Sequence, residues 1–149
     1  MKTPWTDQVD RNQPLPEYPR PQMARADWMN LNGPWDYALT GSSRPPAKYE
    51  GTILVPFSPE AELSGVGRRL KSGEWLWYHR QVLIPEQFSG KGLLLHFGAV
   101  DQTATVWVNG RQAGSHVGGY LPFDLDITQL VEDGVADIVV RVTDDTEKS

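Results

Sequence analysis

The stretch ATVWVNGRQAGSHV, residues 104–117, decides the fold because it predicts two antiparallel strands joined by a tight turn. Its first half, residues 104–108, alternates small or branched apolar side chains with Thr and Trp, which is the two-residue period of a strand. The dipeptide Asn109-Gly110 tolerates positive φ at both positions, as a two-residue hairpin turn requires. Residues 112–117 then provide the return strand.

Outward from this hairpin, the chain consists of short apolar runs separated by turn residues. The further predicted strands lie at residues 35–39, 52–55, 75–84, 93–97 and 137–143. In the last of them, alternation places Ile138, Val140 and Val142 inward and Arg141 and Thr143 outward. Only residues 127–131 predict a single helical turn, with Asp126 or Thr128 near its start. Many short strands and almost no helical periodicity predict an all-β sandwich or jelly roll.

The beginning of the chain differs in composition from the rest. Residues 1–27 contain five prolines, each of which fixes φ and removes a backbone donor, so they predict an extended Pro-rich N-terminal arm. Docking of Trp5, Leu15 or Tyr18 on the body would still order this arm. We therefore divide the chain into the arm, residues 1–27, and a β-sandwich, residues 28–149.

Composition excludes several classes of function. The 14 Lys and Arg against 19 Asp and Glu give a net charge of −5, which disfavours a nucleic-acid partner. No apolar run is long enough to cross a bilayer, and the absence of Cys excludes thiolate catalysis and Cys-ligated zinc. The first residues after Met1 lack the apolar segment of a secretory signal, so we expect a cytoplasmic protein, with secretion left open.

Two pairs of carboxylates are candidates for acid and base catalysis. Glu60 and Glu62, like Asp124 and Asp126, lie two positions apart on one element, so they do not straddle a substrate. We interpret both pairs as solvated surface carboxylates. Calcium binding through Asp oxygens is an alternative interpretation, but we favour a charged edge that is exposed to water. The residues that could approach for it are Asp124, Asp126, Asp144 and Asp145.

Histidine and tryptophan offer two further hypotheses. His79 and His96 lie in predicted strands, and no Gly-x-Ser-x-Gly motif accompanies them, which favours structural hydrogen-bonding roles over a catalytic triad. Six Trp in a β-rich chain are compatible with sugar stacking, but burial in the sandwich is the more common role. The residues concerned are Trp35, Trp75, Trp77 and Trp107.

Taken together and in order, several strings resemble the N-terminal domain of glycoside hydrolase family 2, the family of β-galactosidases, β-glucuronidases and β-mannosidases. These strings are RPQ (20–22), WMNLNGPW (28–35), ILVPF (53–57), WYHR (77–80), LHFGAVD (95–101) and GSHVGGYLPFDLDIT (114–128). The chain departs from the family pattern at His79, where Arg is common, and at Ala136, where Asn is common.

This resemblance implies a jelly-roll β-sandwich of the galactose-binding type, often called the sugar-binding domain. In the family it precedes an immunoglobulin-like domain and a TIM-barrel domain, which carries the two Glu of the retaining mechanism on β-glycosides. The family's acid/base Glu follows an Asn, and no Asn here is followed by Glu. We therefore expect no catalytic residue, cofactor or metal site in this chain, and we interpret it as part of a longer hydrolase.

The same resemblance points to three candidate substrate-binding residues. Asp101 matches the position at which β-galactosidases carry an Asn that contacts the sugar, and its carboxylate could accept hydrogen bonds from hydroxyls. A bond from Asp101 to backbone N–H groups at the turn is the structural alternative. His116 and Tyr120 are weaker candidates, and for His116 we favour a local role through a loop hydrogen bond.

Two other functions remain open at this point. A free-standing carbohydrate-binding module would work by aromatic stacking and would expose a flat platform of Trp or Tyr on one face of the sandwich. A purely structural interaction domain would expose an apolar patch that another domain covers.

Overall fold

In the computed structural model of the protein, the described residues are 8–16, 27–100, 102–119 and 121–144. Their strands are β1 (Gly33–Thr40), β2 (Gly51–Val55), β3 (Trp75–Leu83), β4 (Leu94–Phe97), β5 (Thr103–Val108), β6 (Arg111–Val117), β7 (Phe123–Asp126) and β8 (Val135–Thr143). The fold is the predicted all-β jelly-roll β-sandwich. Within the described part of the chain, no helix has the length and apolarity needed to span a bilayer.

The chain forms two compact units. The first comprises the residues up to Trp35 together with Gly51–Arg69, and the second comprises Asp36–Glu50 and the chain from Leu70 onward. Most of the predicted arm, residues 1–27, lies outside the described residues, so the division at residue 27 stays a prediction.

In the first unit, part of the Pro-rich segment is packed through a proline. Pro14 is fully buried, and its carbonyl accepts a hydrogen bond from Asn32 Nδ2 at 3.3 Å. Leu15, one of the expected docking residues, is instead 54% exposed, and the other two, Trp5 and Tyr18, lie outside the described residues. The segment is therefore held by the buried Pro14 and its backbone, and not by Leu15.

The second unit contains the two sheets of the sandwich. In the larger sheet, β1 from Asp36 onward, β3, β8, β5 and β6 lie side by side in that order, and all neighbours are antiparallel. In the smaller sheet, β4 pairs with β7 in antiparallel register. Side chains along each strand alternate between the two faces of the sheet, and an antiparallel sheet can turn one face to the core and the other away from it.

Alternation along the central strands fills the core as predicted. In β8, Ile138, Val140 and Val142 are 1%, 4% and 5% exposed. Ala104, Val106 and Val108 of β5 are at most 1% exposed on the same side. The opposite face is also covered, because Thr143 and Thr105 on that side are each only 7% exposed. The prediction that Thr143 faces away from the core is confirmed, but this face is not simply a solvated surface.

The Asn109-Gly110 turn between β5 and β6 is confirmed. Asn109 and Gly110 have φ values of 50° and 76°, which are the positive values that a two-residue turn of this type needs. Asn109 Nδ2 donates to the carbonyls of Leu130 and Val135 at 2.8 Å, and its Oδ1 accepts from the Asp137 amide at 3.0 Å. One side chain therefore joins the hairpin to two other segments.

The predicted helical turn at residues 127–131 is also present. The amides of Leu130 and Val131 donate to the carbonyl of Ile127 at 2.9 and 3.3 Å. Asp126 caps the turn, since its Oδ1 accepts from the backbone and the hydroxyl of Thr128 at 3.0 and 2.6 Å. These bonds from Thr128 lower the pKa of Asp126, because they stabilise its ionised form.

Gly114 marks a close approach between the two sheets. A Cβ at this position would lie 2.6 Å from Leu125 Cδ2 of β7. We expect Gly114→Val to lower the free energy of unfolding by about 1–3 kcal/mol, because a branched side chain overpacks the contact. Urea denaturation measures it. Gly98→Val is the matched control, since a Cβ there meets nothing within 4 Å, and an equal loss in both variants would contradict the packing argument.

Candidate functional site

The chain segments next to the three predicted site residues meet at one end of the second unit. At this end β5 begins and β6 ends, with Thr103 opposite Val117 in the register. The Gly118 amide donates to the carbonyl of Gln102 at 2.6 Å, which fastens the segment after β6 to the segment before β5. Gly118 has a φ of 117°, a backbone geometry that favours glycine.

Two of the predicted residues lie outside the described residues. Asp101 precedes Gln102, and Tyr120 follows Gly119, so both are sequence neighbours of the two segments that the Gly118–Gln102 hydrogen bond joins. Their roles in substrate binding stay predictions.

His116 is described, and it lies in a stack of aromatic rings. The residue lies inside β6, where its ring stacks on Phe123 at a centroid distance of 4.3 Å. Phe123 stacks in turn on Phe97 at 4.7 Å, so three flat rings line up between the sheets. His116 Nε2 is buried and has no hydrogen-bond partner among the described residues. A buried polar atom without a partner costs free energy, so this nitrogen is suited to a partner from outside the described residues.

A second unpaired polar atom lies at the same end. Asp144 follows Thr143, which is opposite Thr103 in the register of β8 and β5, and Asp144 Oδ1 is buried without a partner among the described residues. From the sequence, Asp144 was a candidate only for the calcium alternative. No local signal reveals its position here, because that position depends on the register of three strands that are distant in sequence.

The other two histidines have the structural hydrogen-bonding roles that were predicted. His79 lies between Asp36 and Asp137, with its two ring nitrogens 2.8 and 2.7 Å from their carboxylates. His96 Nδ1 bonds the Asp124 carboxylate across the β4–β7 pair. Both ring nitrogens of His79 bond carboxylates, so neither is left to take a proton from a hydroxyl nucleophile.

The candidate carboxylates are engaged locally. Asp124 bonds His96, Asp126 caps Thr128, and Glu60 lies 3.9 Å from the Arg69 guanidinium at the surface. Among the described residues, no three His, Cys, Asp or Glu side chains come together as metal ligands. Asp145, part of the calcium alternative, lies outside the described residues.

The tryptophans pack against the protein. Trp77 is fully buried, Trp107 stacks on it at 5.9 Å, and the Arg141 guanidinium lies 4.6 Å from the Trp75 ring centre. In the first unit, Trp35 is 7% exposed and donates to the Leu31 carbonyl at 2.8 Å. Every described Trp and Tyr is at least partly buried, so the described part of the chain shows no open aromatic platform.

Comparison with known proteins agrees with this architecture. The sequence profile described as "Glycosyl hydrolases family 2, sugar binding domain" matches residues 68–148, more than half of the chain. The chain belongs to this family. The profile therefore covers β3 to β8, which together with β1 build the two sheets of the second unit.

The relatives of this sugar-binding domain are much longer proteins. Beta-glucuronidase of Felis catus is 32% identical over 133 residues, which are 78% of this chain and 20% of that protein. Among solved structures, the beta-glucuronidases of Faecalibacterium prausnitzii and Lactobacillus rhamnosus are 31% and 30% identical, with TM-scores of 0.62 and 0.66. Each match covers 76% of this chain and 20% of the other. The chain thus spans about a fifth of the length of these relatives.

Proposed function

We propose that this chain is the non-catalytic sugar-binding domain of a retaining β-glycosidase, and that it supports a TIM-barrel domain elsewhere in a longer polypeptide. The match to the family's sugar-binding domain, over about a fifth of the relatives' length, carries this proposal. The relatives' names make β-glucuronides the first substrates to test. An immunoglobulin-like domain is the other partner that the family architecture suggests.

We further propose that the end of the sandwich at the Gln102–Gly118 bond contributes polar contacts to the sugar pocket of that polypeptide. The two segments that the Gly118–Gln102 hydrogen bond joins lie next to Asp101 and Tyr120 in the sequence. The buried Nε2 of His116 has no partner among the described residues. A carboxylate accepts hydrogen bonds from sugar hydroxyls, and a neutral imidazole nitrogen either donates or accepts one.

Substitutions in the longer polypeptide test these contacts. We expect Asp101→Ala to raise KM roughly 10- to 100-fold, because a hydrogen bond to a charged group is lost. His116→Gln and Tyr120→Phe should raise KM by less, about 3- to 10-fold, because the lost bonds are neutral. Steady-state kinetics on an aryl β-D-glucuronide provides the measurement.

His96→Gln is the matched control, because this histidine bonds Asp124 on the smaller sheet. Its KM should stay within twofold of the wild-type value. If all three site variants also stay within twofold, the proposed polar contacts are wrong, although the supporting role of the domain would still stand.

A further inference from the structure

Three charged side chains cross-link the outward face of the larger sheet, away from the loops discussed above. His79 of β3 lies opposite Asp36 of β1 in the register, and Asp137 belongs to β8 on the other side of β3. The Nδ1 nitrogen lies 2.8 Å from Asp36 Oδ2, and Nε2 lies 2.7 Å from Asp137 Oδ1. One imidazole ring therefore joins three neighbouring strands.

This geometry selects one protonation state. An ionised carboxylate only accepts hydrogen bonds, and only the imidazolium ring donates from both nitrogens. A neutral ring would turn a lone pair toward either Asp36 or Asp137 and lose that bond. Burial by itself lowers the pKa of His79, but the hydrogen bonds to Asp36 and Asp137 outweigh burial and raise the pKa above its ordinary value.

A loop lies against this cluster. The Tyr49 ring stacks on the His79 ring at 5.1 Å, with 16° between the planes. Next to it, the Glu50 amide donates to the Tyr37 carbonyl at 2.8 Å, and the Glu50 carboxylate accepts from the Leu39 amide at 3.0 Å. Near its other end, the loop accepts a bond at the Ser43 carbonyl from Arg141 Nη1 at 2.8 Å. The His79 ring thus lies against the end of the loop that is hydrogen-bonded to β1.

We propose that His79, Asp36, Asp137 and Tyr49 form a pH-sensitive latch that holds the 41–50 loop against the sheet while His79 is protonated and releases it when the ring becomes neutral. Attraction between the imidazolium and the Tyr49 face adds to the two charge-assisted bonds in the closed form. Because the pKa of His79 is raised in the closed form, its stabilisation is complete below the ordinary value of about 6.5 and is lost as pH rises through the raised value.

The other groups that face the ring do not change the direction of this pH dependence. Asp36 and Asp137 are the carboxylates from β1 and β8, and on β3 itself the neighbours on this face, Trp77 and Gln81, do not titrate. The pKa of Tyr49 is raised by burial and by the charges of Asp137 and Asp36, so its hydroxyl stays neutral throughout this range. The other charged group on this face of β8 is the Arg141 guanidinium, which lies over Trp75.

Hydrogen exchange of the 149-residue chain, followed by NMR between pH 5 and 9, tests the latch. The reporters are the amides of Leu39 and Glu50, and the His79 ring titration is recorded in the same samples. As pH passes the ring's midpoint, we expect the protection factors of both amides to fall about three- to tenfold, because one charge-assisted bond is lost and solvent screens it at this partly exposed position. The amide of Val140, in the middle of the sheet, should keep its protection.

His79→Arg is the matched variant, because a guanidinium keeps its charge throughout this range and can still bond both carboxylates. Its reporter amides should show no pH-dependent loss. In Asp36→Asn and in Asp137→Asn, the midpoint of the His79 ring titration should be lower than in the wild type. This readout does not require that the Arg variant folds. Unchanged protection in the wild type across the ring titration, an equal loss in His79→Arg, or midpoints unaffected by both Asn variants would overturn the latch.

Discussion

Trp77→Ala is expected to lower the free energy of unfolding by about 3–5 kcal/mol, because truncating a buried aromatic ring loses its transfer energy and leaves a cavity. Trp77 has no exposed surface, and its ring stacks on Trp107 at 5.9 Å. Its Nε1 donates to Thr40 Oγ1 at 3.0 Å, and the Arg141 guanidinium lies 5.8 Å from its ring centre. The substitution thus removes packing, a hydrogen bond and a cation–π partner from one face of the sheet.

Urea denaturation measures this loss, and two variants show where it originates. Trp77→Phe keeps a ring but not the bond to Thr40, so it should cost less, about 1–3 kcal/mol. Leu83→Ala is the control from the same strand, because Leu83 is 73% exposed and its truncation should change stability by no more than about 0.5 kcal/mol. A loss below 1 kcal/mol for Trp77→Ala would show that this ring does not anchor the outward face.

Local sequence signals were sufficient to predict the central strands of the sandwich. The Asn109-Gly110 turn needs positive φ at both positions, and few other dipeptides supply it, so the β5–β6 hairpin follows from two residues and their flanking alternation. The period-two pattern likewise assigned the two faces of β5 and β8 correctly. These features depend on residues a few positions apart in the sequence, and a local sequence pattern reports such short-range relations.

Other features were missed because they depend on contacts between distant residues. The strand β7 (Phe123–Asp126) has only four residues, too few for a clear alternation, and it is stabilised by pairing with β4. The register irregularity between Val106 and Trp107 gives no signal in the strand pattern. Alternation predicted which side Thr143 faces, but not that this side is itself covered.

Part of the candidate site could likewise be predicted from the sequence, and part could not. Family resemblance named Asp101, His116 and Tyr120, and these substrate-binding roles stay predictions. The structure adds that Gly118 and Gln102, close to them in the sequence, are bonded at one end of the second unit. The His79 cluster was not foreseen as a unit, because its carboxylates lie 43 and 58 positions away in the sequence. A single sequence does not reveal which of many Asp residues will flank a given His once three strands pair.

We expect the chain by itself to cleave no glycosidic bond, and this prediction has the largest expected effect. Retaining glycosidases place two carboxyl groups about 5–5.5 Å apart across the scissile bond. In this chain, Asp36 and Asp137 bond opposite nitrogens of one ring, while Asp124 bonds His96. We therefore expect the rate enhancement to reside in the proposed barrel, and the chain alone to leave glycosides at their uncatalysed rate.

The most direct test is the release of p-nitrophenol from p-nitrophenyl β-D-glucuronide by the purified 149-residue chain and by the longer polypeptide at equal molar concentration. The proposal predicts release by the chain equal to that of buffer, at least about a million-fold slower than release by the longer polypeptide. Release that co-purifies with the chain, and that disappears when one of its own carboxylates is replaced, would contradict a non-catalytic role.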